Sequence, residues 1–114
     1  MLSIDALKAF GADTGEGMAR CLNNEAFYLR LVKKVLAEPS FDRLREAVEK
    51  NDLQEAFEAA HALKGVLGNL SLTPIYTPVS EMTELLRAKA EADYQGYVET
   101  ILAKREELQA ICGD

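Results

Sequence analysis

The chain has 114 residues, 48% of them hydrophobic and 28% charged, with three prolines and no tryptophan, which is enough for one core spanning 1–114 and too little for two domains. A chain of this size buries roughly two thirds of the surface its unfolded form exposes, so it needs neither disulfides nor a metal to fold, and Cys21, Cys112 and the single histidine match no usual zinc pattern. Thirteen Lys plus Arg against nineteen Asp plus Glu give a net charge of -6, which argues against nucleic acid as a partner because binding it takes a concentrated positive surface.

The start, MLSIDALKAF, has no basic segment ahead of an apolar one, and no run of eighteen uncharged apolar residues follows anywhere. A soluble, cytoplasmic monomer without membrane contact is expected. Met1 and a final helix closing by Gly113 favour a free-standing protein.

The apolar spacing is helical throughout, and no alternating run of Val, Ile and Thr predicts a strand. Ser3 caps a short segment with Ile4, Leu7 and Phe10 on one side, and Gly11 ends it. Gly15 and Gly17 loosen the next stretch before Met18, Cys21 and Leu22 form another apolar turn. Both pieces are expected to lie as a lid over one end of a bundle. From about Asn24 to Glu38 the residues Tyr28, Leu31, Val32, Val35 and Leu36 form a buried stripe. Pro39 stops or kinks that helix, and Phe41, Leu44, Ala47 and Val48 resume the period up to Asn51, making one interrupted arm.

Asp52, with Glu55 three residues on, is a capping-box-like start, and nothing interrupts a helix from Leu53 to Leu70. Thr73 is read as an N-cap with Pro74 at the first helical position. Ile75, Val79, Met82 and Leu86 then keep helical spacing to about Lys89, with a bend at Pro78. A connector at Ala90 to Ala92 leads to Asp93 as the cap of a last helix carrying Tyr94, Tyr97, Val98, Ile101, Leu102, Leu108 and Ile111. The predicted fold is all-α: an antiparallel up-and-down four-helix bundle, with the short N-terminal helical segments capping one end.

The stretch from Phe57 to Leu70 carries the chemistry. At about 100° per residue, Ala59, Leu63, Val66, Leu67 and Leu70 fall opposite His61 and make the core side. Gln54, Phe57, Glu58, Lys64, Gly65 and Gly68 share the side of the only histidine. Gly65 and Gly68 each cost the helix about 1 kcal/mol relative to alanine, and they clear the flank of the imidazole so that another protein's backbone can approach. Their alternative use is close packing against a neighbouring helix. Lys64 reaches the same patch and can neutralise negative charge arriving on the ring. With no Ser, Cys or second His nearby to form a hydrolytic pair, an exposed imidazole beside an ammonium suits phosphoryl uptake, because one nitrogen of the neutral ring is a lone-pair nucleophile.

The run His61-Ala62-Leu63-Lys64-Gly65 resembles the H-x-L-K-G core of the histidine-containing phosphotransfer (HPt) domains of bacterial multistep phosphorelays, and the likeness extends over nearly the whole chain. Residues Gly17 to Leu29 resemble the usual approach to the first bundle helix, Asn51-Asp52 the turn before the histidine helix, and Gly68 a small residue common seven positions after the phosphorylated histidine. The resemblance implies that His61 accepts a phosphoryl group, on Nε2, from the phospho-aspartate of a response-regulator receiver domain and passes it to another receiver. A hybrid sensor histidine kinase is a further implied partner. It also implies that the chain needs no cofactor and has no kinase or phosphatase activity of its own, the Mg²⁺ residing on the receiver.

Under the same resemblance Lys64 stabilises phosphoryl charge, Gly65 and Gly68 give access, and Phe57 is an apolar docking contact, unless it is partly buried against an adjacent helix. Relatives often place a Gln or Glu on the next helix to orient Nδ1. Here that position falls near Thr83 with Glu84 beside it, a departure from or shift of the pattern. The competing expectation is a bundle that binds a receiver or another signalling domain as an adaptor, without being phosphorylated. A metal-carboxylate bundle enzyme would need paired Glu-x-x-His elements, which one histidine cannot supply.

Overall fold

Local capping groups set most helix starts in the computed structural model, which describes residues 1–113. Helix α1 (Ile4–Phe10) begins where the Ser3 hydroxyl oxygen accepts the Ala6 N–H at 3.0 Å, and it stops at Gly11, whose φ of 111° lets its own N–H turn back to the Leu7 carbonyl. In the same way Asp13 caps α2 (Thr14–Arg20) and Asn24 caps α3 (Glu25–Val35). Helix α4 (Ser40–Glu49) follows Pro39, with Glu38 accepting the Ser40 N–H at 3.0 Å. Asp52 caps α5 (Leu53–Asn69) through the Glu55 N–H at 3.1 Å. After α6 (Thr73–Arg87), Asp93 accepts the Gly96 N–H at 2.9 Å in the first turn of α7 (Tyr94–Gly113).

Helices α4 to α7 form the bundle. Helix α5 packs on α4 and α6, α6 on α7, and α7 closes back on α4. The links of three residues after α4 and α5 and of six after α6 keep successive helices antiparallel. Leu44, Ala56, Ala59, Leu63, Leu67, Ile75, Val79, Met82, Val98, Ile101 and Leu108 are buried between them. Complete burial of Leu63 and Leu67 contributes about 1.5–3 kcal/mol each, far more than any exposed contact on the opposite side, and this fixes the rotation of α5. Helix α3 precedes the break at Pro39 and contributes Tyr28, Val32 and Val35 to the core.

The N-terminal pieces cover the end of the bundle where α5 turns into α6. The Asp13 N–H donates to the Ser71 carbonyl at 3.0 Å, Tyr28 donates its hydroxyl to the Leu70 carbonyl at 2.8 Å, and α1 packs on α7. Burial, with the neighbouring Cys21 and Asp13 adding to it electrostatically, pushes the Tyr28 phenol up to about 12.

Several expectations change. The stretch read as loosened by Gly15 and Gly17 is helical, because Gly17 serves packing: a Cβ there would lie 2.6 Å from the Tyr28 ring and 2.8 Å from the Leu70 carbonyl oxygen. Leu22 does not join the apolar turn; it sits at φ 59°, 88% exposed, while Cys21 beside it is buried. Thr73 is the first residue of α6 rather than its cap, which is Leu72, so Pro74 stands second. Pro78 lies inside α6 without ending it. The capping box at α5 is half formed, since Glu55 turns its carboxylate to Arg43 at 2.8 Å instead of back to Asp52.

Candidate functional site

Because Leu63 and Leu67 face inward, His61 emerges on the outer side of α5, near its middle, and is exposed together with Ala62, Gly65 and Asn69. Phe57, one turn earlier and half-buried, stacks on the imidazole with ring centroids 5.8 Å apart and planes at 24°. The Arg87 guanidinium lies 5.1 Å from the centroid of the Phe57 ring. An Arg over an aromatic face gives up to about 1 kcal/mol at an exposed site, so α6 braces the ring that supports the histidine.

Lys64, one turn after His61, is half-buried, and its Nζ lies 3.3 Å from Glu84 Oε2 on α6. The other carboxylate oxygen of Glu84 lies 3.3 Å from Arg87 Nε. The hydrogen bond from Lys64, helped by the charge of Arg87, holds the Glu84 carboxyl below the usual carboxylate range. Thr83 faces the interior and donates its hydroxyl to the Val79 carbonyl at 2.7 Å. Among the described residues no side chain hydrogen-bonds the His61 ring, and Glu84 is committed to the two cations.

The two glycines differ. A Cβ on Gly65 would meet nothing within 4 Å, whereas one on Gly68 would lie 3.1 Å from the Tyr76 ring of α6. Gly65 therefore leaves open surface beside the imidazole, while the space beside Gly68 is occupied by Tyr76. An open depression of about 380 Å³ joins His61, Lys64, Gly65, Gly68, Asn69 and Tyr76 with Arg20 from α2. Arg20 donates to the Gly68 carbonyl and pairs with Glu16 at 3.1 Å, and Glu16 in turn accepts the Ser71 hydroxyl at 2.9 Å. A larger depression of about 540 Å³ lies on the other side of Phe57, bounded by Leu53, Leu86, Arg87 and Tyr94.

The structure thus brings Phe57, His61, Lys64 and Gly65 onto one face and sets Gly68 at its edge beneath Tyr76. The sequence reading missed Arg20, Tyr76 and Arg87, and it left Glu84 without a role. The Arg20 contact with Gly68 spans 48 residues and the Lys64–Glu84 pair spans 20, so no local spacing announces either. No group of three His, Cys, Asp or Glu side chains among the described residues could hold a metal. An exposed imidazole lying on an aromatic ring, with an ammonium one turn away and bare backbone beside it, can accept an electrophile delivered by a large partner.

The family model described as the Hpt domain matches residues 35–112, from the last residue of α3 to near the end of α7. No curated protein and no solved structure matches the chain.

Proposed function

Since the chain belongs to the Hpt-domain family, whose members carry phosphoryl groups in two-component signalling, we propose that His61 is the residue that carries it. The observation that bears most weight is simple. A histidine phosphotransfer domain needs a histidine, this chain has one, and that one stands exposed in the middle of the second bundle helix with open surface at Gly65.

The donor and acceptor in this proposal are the phospho-aspartates of response-regulator receivers. The neutral His61 ring attacks phosphorus with the lone pair of Nε2, the nitrogen farther from the backbone. The N–P bond forms as the P–O bond to the aspartate breaks, the aspartate leaves as a carboxylate, and the Nδ1 proton stays on the ring or passes to water. The receiver supplies Mg²⁺ and the acyl phosphate. The bundle's share is positioning and charge, which is most of what phosphoryl transfer requires. Phe57 fixes the plane of the ring, Lys64 offers an ammonium to the arriving oxygens, and Gly65 admits the receiver's loops. The reverse reaction passes the group onward.

A panel of ³²P-labelled phospho-receivers tests the assignment. Acid-labile, base-stable label on the wild type that is absent from His61→Gln is the expected result. Receiver binding with no label on the wild type would leave only the adaptor reading.

A further inference from the structure

The ammonium proposed to meet the phosphoryl group already has a partner. Lys64 is held 3.3 Å from the Glu84 carboxylate, and Glu84 has a second cation, Arg87, 3.3 Å away on its own helix. We infer that Glu84 is a positioning residue for Lys64: its carboxylate parks the ammonium on α6 while His61 is free and yields it to the phosphoryl oxygens when the N–P bond forms, keeping Arg87 as its counter-ion. This rests on the assignment of His61 as the phosphoryl carrier.

The geometry supports an exchange rather than a permanent brace. The side chains of Lys64, Glu84 and Arg87 are 30%, 54% and 52% exposed, so water screens the pair and the ammonium is free to swing. A phosphoryl group on His61 brings nearly two negative charges onto the same helix face, one turn from Lys64, against the single charge of Glu84. Arg87 makes the release inexpensive, since Glu84 keeps one of its two cations. The lowered Glu84 pKa accords with a carboxylate held charged by both.

The consequence is thermodynamic. Glu84 stabilises the free form of the protein relative to the phosphorylated form, which raises the tendency of phospho-His61 to pass its group on. Exposed ion pairs of this kind are worth a factor of about 1.4 to 5 in an equilibrium constant. Removing Glu84 is therefore expected to shift phosphoryl partitioning toward His61 by roughly 1.4- to fivefold.

The test uses monophosphoimidazole as donor, so that no receiver has to be identified, and reads the ratio of protein phosphohistidine to phosphoimidazole by ³¹P NMR. Wild type, Glu84→Gln, Lys64→Gln and the double variant form a cycle, with a thermal melt of each as a control for folding. The expected result is a gain of roughly 1.4- to fivefold from Glu84→Gln when Lys64 is present that falls by more than half when it is absent. A gain undiminished without Lys64, or no gain in either background, overturns the inference. If the ratios behave as expected but no phospho-receiver labels the wild type, the relay assignment fails while the charge exchange stands.

Discussion

Substitution of Gly65 separates folding from access most cleanly. A Cβ at this position meets nothing within 4 Å, and the residue lies four positions after His61 on the same exposed face of α5. Replacing a glycine inside an exposed helix by alanine or leucine removes a backbone-entropy cost of about 0.7–1 kcal/mol. With an unfolding entropy of about 2.1 cal/mol/K per residue, that gain raises Tm by about 3–4 °C in a chain of 114 residues. A leucine there nevertheless stands over the surface the receiver must approach, and displacing reacting groups by about 1 Å costs on the order of 100-fold in rate. Gly65→Leu should therefore melt at or slightly above the wild-type temperature by circular dichroism, with unchanged helicity, while transfer from a phospho-receiver falls about 100-fold. Gly65→Ala should share the stability gain and lose less rate. Transfer at the wild-type rate in the leucine variant would show that nothing approaches this flank, and a marked fall in Tm would show that the position is packed.

Gly17 should behave in the opposite way. A methyl at 2.6 Å from the buried Tyr28 ring and 2.8 Å from the Leu70 carbonyl oxygen meets a packed side chain and backbone together, so Gly17→Ala should lose about 1–3 kcal/mol, a fall in Tm of about 4–12 °C, whereas an unchanged melt would mean that α2 is not seated on the bundle end. The Tyr28 phenol, raised from 10.0 to about 12, keeps its proton in the folded state at pH values where the unfolded chain releases it. Its contribution is therefore whole below pH 10 and disappears as pH rises toward 12. Urea titrations across that range should show a decline in stability that Tyr28→Phe flattens, with the variant losing about 1–3 kcal/mol at neutral pH because the Leu70 carbonyl is left without its donor.

The parts of the fold legible in the sequence are those decided within one or two helical turns. Ser3, Asp52 and Asp93 cap their helices because a short polar side chain reaches an N–H three residues on, a purely local contact. The outward direction of His61 follows from the burial of Leu63 and Leu67, which the helical period alone dictates. What escaped depends on distant partners. Two glycines make residues 14–20 look loose until Tyr28 and Leu70 are seen to need the space at Gly17. Leu22 looks like core, yet the left-handed turn at Leu22 and Asn23 carries it into solvent. At the site, Gly65 and Gly68 are equivalent by angle and distinguished only by Tyr76, and the charges of Lys64, Glu84 and Arg87 become a network only once α5 and α6 lie side by side.

Locating the phosphoryl group on the intact protein is the most direct check on the account. After reaction with a phospho-receiver, fragmentation of the peptide containing His61 at neutral or alkaline pH should place one phosphoryl group on that imidazole, and ³¹P–¹H correlation should assign it to Nε2. An acid-stable phosphate on a serine, threonine or tyrosine, or a transferred group found anywhere other than His61, would contradict it.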